Sequence, residues 1–65
     1  LGEPIEDKAL QILKLQALGR SNEMIAEDLH ISVSTVKYHC RENYRKLGVN
    51  GKAAAIAEAR KRQLI

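Results

Sequence analysis

Residues 32–49 read SVSTVKYHCRENYRKLGV, and on a helical wheel at about 100° per residue the stretch divides in two. Val33, Val36, His39, Cys40, Asn43, Tyr44 and Leu47 fall on one half, while Ser34, Lys37, Tyr38, Arg41 and Arg45 fall on the other. The first set can pack against neighbouring helices. The second lines up positive charge, hydrogen-bond donors and one aromatic ring along an outward stripe, which asks for an anionic partner. Ser32 suits the N-cap of this helix, where its oxygen can accept from a free backbone N–H. Gly48 fits the left-handed position just past the helix end, with Val49 placed to pack back on Tyr44.

Working upstream, HIS at 30–32 reads as a tight turn with Ile31 plugging its interior. Before it, NEMIAEDL at 22–29 predicts a short helix capped by Ser21. Ile25, Ala26 and Leu29 face inward there, Glu23, Glu27 and Asp28 face out, and Ala26 is small where another helix must come close. A first helix is predicted from about Glu6 to Leu18, with Ile5, Ala9, Ile12, Leu13 and Gln16 or Ala17 at helical spacing. Glu6 and Asp7 suit the positive end of its dipole, and Gly19 ends it. Downstream, a fourth helix is predicted after Asn50 and Gly51. Ala53, Ile56, Ala57 and Leu64 share one face, and Ala55 and Ala59 form a second, small-residue face. The pattern is all-α: one domain over 1–65, a three-helix core plus a C-terminal helix, with a helix-turn-helix at about 21–47.

Composition agrees. A chain of 65 residues can close one small core, and with two Tyr and no Phe or Trp that core must be aliphatic. One Cys excludes an internal disulfide and points to no oxidising compartment. No run approaches the roughly 18 apolar residues of a membrane span. The net charge of +3 hides a split: residues 1–31 carry three basic and six acidic side chains, residues 32–65 eight basic and two acidic. The second half is the one suited to a polyanion. The loop-like opening LGEPIED, starting without Met, reads as the start of a piece of a longer cytoplasmic, nucleoid-associated protein.

A short helix, a tight turn and a longer helix with an exposed basic stripe make a helix-turn-helix, whose second helix enters the DNA major groove. The particular residues narrow this further. SNEMIAEDLHISVSTVKYHCRENYRKLGV at 21–49 resembles the LuxR-type helix-turn-helix domain of bacterial transcription regulators. The pattern is carried by Ser21, Asn22, Ile25, Ala26, Leu29, Ile31, Ser32, Thr35, Val36, Lys37 and His39. AAIAEARKRQLI resembles the C-terminal helix of that family, and the likeness spans about Ile5 to Ile65.

The resemblance implies a four-helix output domain that binds double-stranded DNA and pairs as a homodimer on it through the last helix. Lys37, Tyr38 and Arg41 match base-reading positions. Ser34, Thr35, Arg45 and Lys52 are expected at the backbone, and Ala55, Ala59 and Arg62 at the dimer contact. Upstream, a receiver, a small-molecule sensor or an ATP-binding regulatory region is expected, and RNA polymerase is a second candidate partner.

Three departures from the family pattern stand out. Glu6 and Ala9 replace the Thr-x-x-Glu capping box of the first helix. Gly51 stands near the usual Arg, with Lys52 beside it. Asn43 replaces an Ile or Leu, so Asn43→Ile is expected to stabilise by roughly 1 kcal/mol if the amide is buried with poor partners.

Plainer roles suit several other residues. Ser32 reads as a cap rather than a DNA ligand, and His39 with Cys40 as packing. A zinc site wants three or four ligands at recurring spacing, so no metal or cofactor is expected. The run Arg60-Lys61-Arg62 reads as solvated charge on a last turn. No nucleophile with its base, paired carboxylates or phosphate-binding Gly loop suggests an enzyme. Two rivals stay open: a promoter-reading domain of a sigma factor, and a helical adaptor that contacts proteins through its small-residue face.

Overall fold

The computed structural model describes residues 4–65, so the loop-like opening falls partly outside the described residues. Four helices follow one another: α1 (Asp7–Ala17), α2 (Asn22–Leu29), α3 (Val33–Leu47) and α4 (Lys52–Lys61). Each start has a local cause. Ser21 Oγ accepts from the Met24 N–H at 3.2 Å, and Ser32 Oγ accepts from the Thr35 N–H at 3.1 Å. Glu6 holds the N-cap of α1 without a side-chain capping bond, as the missing capping box predicts.

All four helices end in the same way. Gly19, His30, Gly48 and Gln63 take positive φ, and the next residue's N–H reaches back to a carbonyl of the last turn. These bonds are Arg20 to Leu15, Ile31 to Ala26, Val49 to Tyr44 and Leu64 to Ala59, at 2.8–3.1 Å. They satisfy carbonyls that a helix end leaves orphaned. His30 holds this geometry at φ 58° and ψ 44° with a Cβ, which is unfavourable for an L-residue. His30→Gly should therefore raise stability by about 0.5–1 kcal/mol, read as a higher urea midpoint with an unchanged slope. A lower midpoint would mean that the exposed imidazole makes a stabilising contact.

The core lies on both sides of α3. Ile12, Ile25, Ala26, Val36 and Cys40 join α1, α2 and α3. Leu13, Leu47, Ala55 and Ala59 join α1, α3 and α4. Tyr44 packs against both groups. Each large side chain fully buried here contributes about 1.5–3 kcal/mol relative to exposure, so α3 is held rigidly from behind.

The packing of α4 corrects the sequence expectation. Ala55 and Ala59 are fully buried, while Ala53 and Ala57 are exposed and Ile56 is only half-buried. Two alanines one turn apart let α4 approach Leu13 and Leu47 closely. Their small size is the reason they face inward. They are not available as a dimer contact.

Asn43 is fully buried, as the wheel predicts. Its Nδ2 donates to the Ala9 carbonyl at 3.1 Å, and its Oδ1 has no partner. A buried acceptor left unpaired costs about 1–3 kcal/mol, more than one neutral hydrogen bond returns. Leu has nearly the shape of Asn, branching at Cγ, without the polar atoms. Asn43→Leu should accordingly raise stability by about 1 kcal/mol. A fall in melting temperature would show that the bond to Ala9 outweighs the orphaned oxygen.

Candidate nucleic-acid interface

The inner line of α3 is Val36, Cys40, Asn43 and Leu47, all buried. This line sets the direction of everything opposite. Ser34, Lys37, Tyr38, Arg41 and Arg45 are exposed along the other side, the stripe the wheel predicts. Tyr38 is 53% exposed, and its ring meets His39 edge-on with centroids 5.4 Å apart. Glu42 is the single acidic residue of a helix that also carries Lys37, Arg41, Arg45 and Lys46. The outward face is therefore strongly cationic.

At the start of the helix, Ser32 and Thr35 share a 2.9 Å hydroxyl–hydroxyl hydrogen bond in addition to the cap. Ser32 is thus a cap. Thr35 is half-buried with its hydroxyl turned to Ser32, and Ser34 is the exposed hydroxyl of the first turn. Further along, Arg45 pairs with Glu42 at 2.9 Å. An exposed pair of this kind is worth about 1 kcal/mol or less, so it restrains Arg45 only weakly. Lys52 is exposed at the first position of α4.

Arg62, expected at the dimer contact, is engaged within its own chain. Its Nε donates to Glu58 Oε2 at 2.7 Å and its Nη2 to the Leu47 carbonyl at 3.4 Å. The guanidinium thus satisfies the end of α3 from within the same chain and holds the Glu58 carboxyl below its ordinary range.

Three contacts behind the face have little or no sequence signal. Gln16 is buried and its Nε2 donates to Cys40 Sγ at 3.3 Å and to the Tyr44 hydroxyl at 3.4 Å. Burial pushes the Cys40 thiol up, against the opposing pull of Tyr44 and Gln16, so it stays protonated. Arg20 grips Asp28 with two hydrogen bonds of 2.9 and 2.8 Å, tying the loop after α1 to α2. Lys46 Nζ donates to the Pro4 carbonyl at 3.3 Å. The Glu58–Arg62 and Glu42–Arg45 pairs, four and three residues apart, do have a readable spacing. Among the described residues, no group of three His, Cys, Asp or Glu side chains is placed to hold a metal ion. No helix among them is long and apolar enough to cross a membrane.

The family model for bacterial regulatory proteins of the luxR family matches residues 7–59. The chain belongs to the luxR family. A probable transcriptional regulatory protein NarL of Mycobacterium tuberculosis is 44% identical over 55 residues, covering 85% of this chain and 26% of that protein. The chain thus spans about a quarter of the length of the curated relatives it matches. Among solved structures, the response regulator ChrA of a heme-sensing two-component system superposes with a TM-score of 0.93 at 40% identity, covering 97% of this chain and 31% of that one. The transcription factor GerE superposes with a TM-score of 0.87 at 30% identity, covering 91% of this chain and 88% of that one. The luxR-family fold therefore accounts for the whole four-helix arrangement, and α2, the three-residue turn and α3 are its helix-turn-helix.

Proposed function

We propose that this domain binds double-stranded DNA sequence-specifically, with the N-terminal half of α3 in the major groove, as the output domain of a larger bacterial transcription regulator. The observation that carries this reading is the exposed row Ser34, Lys37, Tyr38, Arg41 and Arg45, backed by the buried line Val36, Cys40, Asn43 and Leu47. Lys and Arg can read guanine edges in a groove wide enough for a helix. Lys37, Tyr38 and Arg41 lie within two turns of the N-terminus of α3 and take the base-reading role. Ser34, Arg45 and Lys52 flank them and take phosphates, with the first-turn backbone N–H groups near Thr35 adding to the anion site.

Two copies would sit on a two-fold site with half-sites about 10 bp apart. The exposed face of α4, with Ala53 and Ala57, is then the surface that meets its mate, because Ala55 and Ala59 are buried. The test is affinity for a selected duplex and a scrambled one over a salt series. Binding should weaken with a log–log slope of roughly −0.9 for each phosphate held, and the selected duplex should be preferred at every salt concentration. Salt-independent or undetectable binding would favour the protein adaptor. Binding that appears only with RNA polymerase present would favour a sigma-type promoter reader.

A further inference from the structure

The back of the molecule carries a second feature that DNA binding does not use. α1 turns Ala9 and Gln16 toward α3, as the bonds to Asn43 and Cys40 show. Lys14 and Leu18 lie roughly opposite these on α1, at about 100° per residue. There, the C-terminal ends of α1 and α4 leave an open apolar groove of about 290 Å³ lined by Lys14, Ala17, Leu18, Arg60 and Ile65. Leu18 is 77% exposed, the most exposed large hydrophobic side chain among the described residues.

A single exposed Leu needs no explanation. A Leu, an Ile and an Ala around one groove with a cation from each helix at its rim do. Among the described residues neither Lys14 nor Arg60 makes an ion pair. Asp28, which lines the adjoining groove along α1, is already gripped by Arg20, and Glu58 on α4 by Arg62. The carboxylates of this side are therefore engaged internally while two cations are left facing outward.

We propose that this groove docks an acidic amphipathic segment of a partner protein. An aliphatic side chain of that segment enters beside Leu18 and Ile65, and its Asp or Glu residues meet Lys14 and Arg60. The groove lies on the side of α1 away from α3, so this partner leaves the exposed row of α3 uncovered.

The experiment uses a synthetic helical peptide of about 15 residues, with Leu along one face and Glu flanking it. Two controls accompany it, one with Lys in place of Glu and one with Ser in place of Leu. Amide shifts of the ¹⁵N-labelled domain report where each peptide binds. The acidic Leu peptide should shift the amides of 14–18 and 60–65 and leave those of Lys37, Tyr38 and Arg41 in place. Leu18→Ser and Lys14→Glu should each weaken peptide binding about fivefold or more, with affinity for a single DNA half-site unchanged. The proposal is overturned if the Lys peptide binds equally well, or if no shifts appear at about millimolar peptide. It is also overturned if the same shifts arise from raising the concentration of the domain alone, which would assign the groove to a second copy. A loss of single-half-site affinity in Lys14→Glu would assign it to nucleic acid.

Discussion

Ala59→Glu should unfold the domain. Ala59 is fully buried against Leu13, Leu47 and Ala55, where α4 meets α1 and α3. A carboxylate there must either stay ionised, at several kcal/mol of lost hydration, or take up a proton and still force its added atoms into a filled core. Overpacking alone costs about 1–3 kcal/mol. A domain of this size has roughly 3–10 kcal/mol in total at the usual 0.05–0.15 per residue, so most or all of its stability is lost. Circular dichroism should show little helix and no cooperative melt at neutral pH. Ala57→Glu is the informative partner, because Ala57 is exposed two residues away. It should melt within about 0.5 kcal/mol of the parent and weaken binding to a two-fold DNA site while sparing a single half-site. A folded Ala59→Glu with an unchanged melt would mean that α4 does not dock by this face.

Arg41→Ala should cost about 1–3 kcal/mol on the preferred duplex and much less on a scrambled one, the behaviour of a side chain that reads a base edge. Arg45→Ala should differ in kind. Arg45 lies a further turn along α3 and is already paired with Glu42. Its loss should weaken both duplexes by similar factors and reduce the salt slope by about one. Both variants should stay folded, since neither side chain belongs to the core. Affinities of the two variants for both duplexes at several salt concentrations decide the matter. Equal losses on both duplexes for Arg41→Ala would make Arg41 a phosphate anchor only. No effect from either substitution would make the stripe a solvated face and remove the DNA-binding reading.

Both predictions rest on which way a helix faces, and the two helices differ in how far their sequences reveal it. In α3 the apolar positions 36, 40 and 47 recur on one side and the charges 37, 41 and 45 on the other, so the facing is written in the period itself. The caps at Ser21 and Ser32 and the ends at Gly19 and Gly48 are equally legible, because a cap depends on residues within five positions of one another. The exposed cationic stripe follows from these local rules. In α4, alanines occupy both sides, and Ile56 offers the only large apolar side chain within the helix. The close approach of α4 to Leu13 and Leu47 places the smallest residues innermost.

Sequence alone therefore determined the elements of this protein, the inward line of α3 and, through its motif, the family. Tertiary structure decided the rest. The facing of α4, the diversion of Arg62 to the Leu47 carbonyl, the Arg20–Asp28 grip and the Gln16 bonds to Cys40 and Tyr44 join residues 8 to 28 positions apart or depend on how closely two helices meet. Periodicity and capping are set by neighbours along the chain, whereas these contacts exist only after separate helices have closed on one another, when volume and leftover hydrogen-bonding groups choose their partners.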